Sequence, residues 1–342
     1  MASFQWANDI KPLSFTPKFI VPDENKPNLT NKTDLGVIPI INLNEKTEII
    51  VKQITKACEE FGFFQVINHG IPKELCEKVL EVITKFFEQS YEEKADLVSQ
   101  QHMEDGKIFK YYIKDQETQE KISMWGEAFY HTWHPLDFST FIHKLPLNPP
   151  HYRDTIAEYA KEIGVLMTQM FSLLSQGLGL DKDYLDKSLR RSYTAQANYY
   201  PPCPHPELTL GLRDHTDFNI LTFLLQDEDV TGLQVFKDGN WMDVHPVPNS
   251  IVINVGDQLQ VLSNDRFKSV LHRAVTNEHK KRVSFAMFVG PDHKDFVEPI
   301  PDLVREGHPA KYREYRFEVF IQEFRNQEGK YRMVKEVFRI GD

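Results

Sequence analysis

Apolar positions along the chain recur first at the spacing of helices and later at the spacing of strands. Between about Thr47 and Glu60, Ile50, Val51, Ile54, Ala57 and Cys58 share one stripe with Lys and Glu opposite. That pattern predicts an amphipathic helix, ended by Gly62. Short strands flank it at Val37 to Leu43 and at Phe63 to Ile67, the second closed by Asn68-His-Gly-Ile-Pro72. A second helix is predicted from about Lys73 to Gln89, before a charged region, residues 90 to 123, that shows no clear period. The longest stripe is Ile156, Tyr159, Ala160, Ile163, Leu166, Met167, Met170, Leu173 and Leu174. It predicts a long helix, which Asp154 can cap and which Gly177 and Gly179 end, suited to a buried spine.

From about Tyr193 the period changes to two. Ile220–Leu225, Leu233–Phe236, Ile251–Val255 and Arg282–Val289 read as short strands separated by Pro, Gly, Asn and Asp. So many short antiparallel strands predict a barrel or jelly roll. The expected fold is mainly β with flanking helices (α+β). Its parts are a polar surface arm at 1–36, an N-terminal domain at 37–150, a spine helix and connection at 151–192, a β core at 193–293 and a helical tail at 294–342.

Composition narrows the function. Of 342 residues, 41% are hydrophobic, and 24 Phe and 13 Tyr predict a ring-rich core and pocket. Lys and Arg number 40 against 50 Asp and Glu, a formal charge of −10, so nucleic acid is not an expected partner. No stretch approaches the ~20 apolar residues of a membrane span. Cys58, Cys76 and Cys203 form no CxxC pair or disulfide framework, and the first residues lack the pattern of a signal peptide. Asn28-Leu-Thr and Asn31-Lys-Thr match the glycosylation pattern, which a chain outside the secretory path does not use. These features predict a cytoplasmic monomer.

The candidate chemistry begins at Gly211-Leu-Arg-Asp-His215-Thr-Asp217. Residues i and i+2 of a strand point to one side, so His215 and Asp217 can face one metal. His272, in Val270-Leu-His-Arg, supplies a second imidazole. Two imidazoles and one carboxylate, with positions left open, are the ligand set of non-haem Fe(II) oxygenases. On the later strand Arg282, Ser284, Ala286 and Phe288 share a face, with Val283, Phe285 and Met287 on the other. A lone cation among apolar neighbours needs an anion, either a structural carboxylate or a ligand's. The distal carboxylate of 2-oxoglutarate fits the guanidinium fork, with Ser284 adding a donor. Asn198 and Tyr200, in Gln196-Ala-Asn-Tyr-Tyr-Pro-Pro-Cys-Pro204, share a face and can bond to the same acid, while Tyr199 faces the core. Cys203 reads as a packed thiol, and His69, His134 and His245, beside Pro or Gly, as structural histidines.

These segments resemble the plant soluble 2-oxoglutarate/Fe(II) dioxygenases, which have an isopenicillin-N-synthase-like fold. The resemblance runs from about Ile38 to about Phe324. It rests on Phe61-Gly-Phe-Phe-Gln-Val-Ile-Asn-His-Gly70, Asn198 to Pro204, the His215/Asp217/His272 triad, Ile253-Asn-Val-Gly-Asp257 and Arg282-Val-Ser284. It implies a double-stranded β-helix, a distorted jelly roll. Iron would be held by the triad, 2-oxoglutarate by Asn198, Tyr200, Arg282 and Ser284, and ascorbate would stimulate turnover. Dioxygen and a small molecule would be consumed with release of succinate and CO2, most often with hydroxylation. Ile54-Thr-Lys-Ala-Cys58, His134-Pro-Leu-Asp137 and Val289-Gly-Pro-Asp292 are similar to the hyoscyamine hydroxylase branch of specialised metabolism. Gln196 and Gly290 stand where flavonol and anthocyanidin synthases typically carry Lys and Glu. An alkaloid is therefore expected ahead of a flavonoid. Phe288, Tyr112, Trp125 and Phe129 are the candidate substrate residues, Tyr111 adding to that wall.

The alternatives are a flavonoid or other phenylpropanoid oxygenase of the same family, or an aminocyclopropanecarboxylate-oxidase-like enzyme that uses ascorbate instead of 2-oxoglutarate. An intact Asp217 argues against a halogenase. The co-substrate residues beside the triad argue against a hydrolytic zinc site. A non-catalytic β-barrel binder would have lost at least one of these residues, and none is missing.

Overall fold

The computed structural model describes residues 5–7, 14–27, 37–115, 120–327 and 334–341. The glycosylation-type sequences at Asn28 and Asn31 lie outside them. In chain order the strands are β1 (Ile40–Asn42), β2 (Phe63–Ile67), β3 (Lys107–Phe109), β4 (Tyr112–Lys114), β5 (Lys121–Ser123), β6 (Glu127–Thr132), β7 (Arg191–Tyr200) and β8 (Leu212–His215). They continue as β9 (Leu221–Gln226), β10 (Leu233–Lys237), β11 (Asn240–Asp243), β12 (Ile251–Val255), β13 (His272–Ala274), β14 (Arg282–Pro291), β15 (Phe296–Val297) and β16 (Tyr315–Arg316). The helices are α1 (Thr47–Glu60), α2 (Lys73–Phe87), α3 (Tyr91–Lys94), α4 (Tyr152–Leu178), α5 (Tyr184–Ser188), α6 (Asp257–Leu262) and α7 (Phe317–Asn326). Among the described residues no helix is long and apolar enough to cross a membrane.

An eight-stranded sheet in the order β1-β2-β12-β9-β14-β7-β6-β3 faces a four-stranded sheet in the order β11-β10-β13-β8. This is the double-stranded β-helix. The larger sheet is not confined to residues 193–293: β1, β2, β3 and β6 extend both of its edges from the N-terminal half. The reason is hydrogen bonding, since β2 pairs antiparallel with β12 and β6 with β7, so β12 and β7 do not leave their outer edges open.

The spine helix α4 packs against α1 and α2. Its stripe, from Ile156 to Leu174, is buried in the main core with Phe285, Met287 and Tyr199 from the sheet. It begins at Tyr152, earlier than Asp154 suggested, with His151 before it in the left-handed region (φ 67°). Asp154 sits inside the first turn, where a carboxylate favours the helix dipole. Gly179 (φ 82°) ends the helix, its N–H donating to the Gln176 carbonyl. Gly177 remains helical.

The N-terminal arm also departs from a purely surface path. Trp6, Phe19 and Val21 are buried. Trp6 and Phe19 pack edge-on against Trp125, with ring centroids 5.6 and 4.8 Å away. Burying rings of this size outweighs the polar composition of the arm around them.

Candidate active site

β8 and β13 pair antiparallel with His272 directly opposite His215, and the two rings lie 4.1 Å apart. Asp217 follows in the loop just past β8. His215 Nε2 and His272 Nε2 are 3.6 and 3.5 Å from Asp217 Oδ1. One ligand atom from each residue lies within 4.8 Å of the others, so the 2-His-1-carboxylate triad is assembled.

The surroundings prepare each ligand. His215 Nδ1 donates to the Arg213 carbonyl at 2.9 Å and His272 Nδ1 to the Val270 carbonyl at 3.2 Å. A carbonyl can only accept, so both rings carry their proton on Nδ1 and turn the Nε2 lone pair inward. Burial, and then His272 beside it, push the His215 pKa down to about 3, which keeps that ring neutral. Asp217 Oδ2 accepts from Thr222 Oγ1 at 2.5 Å and Asn254 Nδ2 at 2.7 Å, leaving Oδ1 toward the imidazoles. Burial works against this carboxylate, but His272, His215 and Thr222 more than offset it, and its pKa lies well below the ordinary carboxylate range. Two inward-facing imidazoles and one oriented anion fit Fe(II).

Opposite the triad, β14 and β7 pair with Arg282 across from Tyr200 and Ser284 across from Asn198. Arg282, Ser284, Ala286 and Phe288 all line the cavity, as do Gln196, Asn198 and Tyr200. Tyr199, Val283, Phe285 and Met287 lie in the core on the other face. The Tyr200 ring occupies a slot that two glycines leave open: a Cβ on Gly126 or Gly211 would come within 2.7 or 2.6 Å of it.

Arg282 is 3% exposed, and burial lowers its pKa without removing its charge. Its guanidinium lies 5.5 Å from the Tyr200 ring, and Nη2 donates to Gln226 Oε1 at 2.8 Å. Nε has no hydrogen-bond partner, and no described carboxylate forms an ion pair with the group. Asp227, the acid whose field it feels, accepts from the Val283 N–H instead. A buried cation with an unused donor beside a metal triad is suited to an anionic ligand.

The cavity measures about 1200 Å³ counted to its open mouth. Phe288 and Tyr112 line it; Trp125 and Phe129 do not. Phe129 is one residue out of phase on β6: it packs on Phe86 at 5.0 Å, while its neighbour Tyr130 faces the cavity. Trp125 is turned into the cluster with Trp6, Phe19 and Cys203, its Nε1 donating to the Pro201 carbonyl at 3.1 Å. Of the described part of the 100–133 region, His102, Met103, Tyr111, Tyr112 and Tyr130 reach the cavity.

Sequence reasoning missed Thr222 and Asn254. The Asn had a signal, a lone amide within the apolar run Ile251-Val-Ile-Asn-Val255, because a buried amide requires a partner. Thr222 had none. Phe218 and Phe324, tilted against each other with centroids 4.7 Å apart at the cavity, were also missed, since their meeting depends on where α7 docks.

The histidines read as structural are occupied elsewhere. His69 bonds to the Asn249 carbonyl, and His134 Nδ1 accepts the Leu136 and Asp137 N–H groups. His245 contacts Thr231. All three cysteines are buried free thiols.

Residues 193–291 match the 2OG-Fe(II) oxygenase superfamily, and residues 38–151 match the N-terminal family described as non-haem dioxygenase in morphine synthesis. Hyoscyamine 6-dioxygenase of Hyoscyamus niger is 35% identical over 302 residues, covering 86% of this chain and 87% of that protein. Flavonol synthase/flavanone 3-hydroxylase of Arabidopsis thaliana is 37% identical over 307 residues, covering 88% and 90%. The crystal structure of JOX2 in complex with 2OG, Fe and JA superposes with a TM-score of 0.85 at 32% identity, covering 96% and 94%. With its triad, its jelly roll and relatives along nearly its whole length, the chain belongs to the 2OG-Fe(II) oxygenase superfamily and is a 2-oxoglutarate- and Fe(II)-dependent dioxygenase of plant specialised metabolism.

Proposed function

We propose that this enzyme hydroxylates a small, ring-bearing specialised metabolite that is neutral or carries an amine, an alkaloid ahead of a flavonoid. His215, Asp217 and His272 hold the iron. Arg282 and Ser284 grip the distal carboxylate of 2-oxoglutarate, and Asn198 and Tyr200 bond to the same acid. The observation that carries this reading is the Arg282 guanidinium, buried on the cavity it shares with the triad, with Nε unused and no carboxylate paired to it among the described residues.

Bound iron and 2-oxoglutarate supply the oxidising power, dioxygen being reduced as 2-oxoglutarate loses CO2 to give succinate. The chain contributes orientation and a water-poor wall. Tyr112, Tyr130, Phe218 and Phe288 present rings to the cavity, and ring faces attract both aromatic substrates and cations. Gln196 and Gly290 are uncharged, and Ser192, Phe317 and Asn219 lie nearest the place of Gly290's missing side chain. That lack of charge on this side of the site favours a substrate other than a flavonoid.

The test is a panel of alkaloids, flavonoids, JA and aminocyclopropanecarboxylate with Fe(II) and 2-oxoglutarate. Each is tried with and without ascorbate and scored for succinate and product mass, with Asp217→Ala as the blank. An alkaloid should give the fastest substrate-dependent succinate release. A flavonoid or JA turned over far faster would overturn the substrate preference. Product formed with ascorbate and no succinate would overturn the co-substrate.

A further inference from the structure

We propose that Gln196 is a positioning residue, the link by which Tyr111, on the wall of the substrate cavity, sets the hydrogen-bond direction of the 2-oxoglutarate site. The inference rests on the co-substrate roles of Arg282, Ser284 and Asn198 given above and concerns residues outside that group.

A one-way chain of hydrogen bonds crosses the floor of the cavity. Tyr111 Oη donates to Gln196 Oε1 at 2.8 Å, and Gln196 Nε2 donates to Asn198 Oδ1 at 2.6 Å. Asn198 Nδ2 then lies 3.4 Å from Ser284 Oγ, the last two residues being cross-strand partners. Gln196 and Asn198 are buried.

Direction matters because an amide has a donating and an accepting end. With its Oε1 occupied by the phenol, Gln196 can present only its NH2 to Asn198. Asn198, with Oδ1 so occupied, turns its own NH2 toward Ser284. The serine oxygen then accepts from Asn198, and its hydroxyl proton is left to donate to an anion. With the amides reversed, Asn198 Oδ1 would face Ser284 Oγ, and the serine proton would be spent on that oxygen instead of on the anion. The pairing register leaves Gln196 free to act this way: on β14 it faces Ala286, too small to compete for the amide, and on β6 it faces Tyr130, whose hydroxyl bonds with Thr194.

Tyr111 belongs to a cluster of rings that can register what fills the cavity. His102 contacts Phe109, Tyr111 and Tyr112 with centroids 5.3, 5.4 and 5.0 Å away. His102, Tyr111 and Tyr112 line the cavity. Substrate that presses on this wall therefore acts, through one phenol and one amide, on the donors offered to 2-oxoglutarate.

The experiment is calorimetric titration of 2-oxoglutarate into Mn(II)-loaded protein without oxygen. The parent, Tyr111→Phe, Gln196→Met, the double variant and Arg282→Lys are compared, each with a melting curve to show that it folds. None of these replacements alters the charge, so a change in affinity is not a change in net charge. Tyr111→Phe should weaken 2-oxoglutarate binding about three- to tenfold and Gln196→Met about tenfold, the range of one hydrogen bond. The double variant should be no weaker than Gln196→Met alone, as expected of links in one chain. Unchanged affinity in Tyr111→Phe, or single effects that multiply in the double variant, would overturn the relay. If Arg282→Lys also binds as the parent does, it is the co-substrate reading that has failed.

Discussion

Lys335 and Asp257 form a buried ion pair, Nζ to Oδ1 at 2.8 Å, that joins the C-terminal segment to the loop carrying Asp217. Lys335 also donates to the Ser269 carbonyl at 3.1 Å. The other Asp257 oxygen accepts from Thr216 at 3.1 Å, and the Asp257 N–H donates to the Asp217 carbonyl at 2.7 Å. Lys335 is thus one ion pair away from the backbone of Asp217, the carboxylate of the triad.

Removing one partner of a buried pair leaves the other charge uncompensated, at a cost of about 3–5 kcal/mol. Lys335→Ala should therefore lower the denaturant midpoint sharply and weaken metal binding, because Thr216 and Asp217 lose their brace. Urea melts and a Mn(II) titration check both. A variant with parental stability would show that the pair contributes nothing net.

Arg282→Lys retains the charge but gives up the fork. The Michaelis constant for 2-oxoglutarate should rise ten- to a hundredfold, about 1.5–3 kcal/mol, with little change for the substrate. Steady-state kinetics with each reactant varied in turn decides this. An unaltered constant for 2-oxoglutarate would mean that Arg282 serves the fold alone.

His131 gives the fold an acid limit. It lies between the Phe141 and Phe285 rings, its Nδ1 donating to the Thr132 carbonyl at 2.7 Å while Nε2 has no partner among the described residues. Burial pushes its pKa down to about 4 from an ordinary 6.5. Below about pH 6.5 the unfolded chain therefore takes up a proton that the folded chain refuses. Stability should fall by up to about 3 kcal/mol as the pH drops toward 4. Urea midpoints at pH 7, 5.5 and 4.5 should decline less steeply in His131→Leu than in the parent. Parallel declines would remove His131 from the account.

Phe288 lies on the face of β14 shared with Arg282 and Ser284, opposite Thr194, roughly 20 Å along the strand from Arg282. Phe288→Ala should raise the Michaelis constant for the best substrate and leave that for 2-oxoglutarate unchanged. Phe129→Ala should instead cost about 3–5 kcal/mol of stability, because its ring is buried in the core. A substrate constant that ignores Phe288 would make this ring part of the packing only.

The periodic features were legible in the sequence because they depend on neighbours along the chain. The stripes of α1 and α4, the alternation that turns Arg282, Ser284 and Phe288 together, and the i, i+2 relation of His215 and Asp217 all follow from helix and strand geometry. Phe129 shows the limit of that reasoning. A ring in a pocket-forming region could face either way, and only the pairing of β6 with β7 decided that Tyr130 meets the cavity while Phe129 meets α2. The same holds for Trp125, claimed by an arm whose composition looked too polar to pack. Residues far apart in sequence met only through the tertiary structure: His272 opposite His215 by strand register, Thr222 and Asn254 on one oxygen of Asp217, Lys335 on Asp257. A strand's pattern fixes which side chains share a face, whereas its partner in the sheet, set by long-range hydrogen bonding and burial, fixes what that face touches.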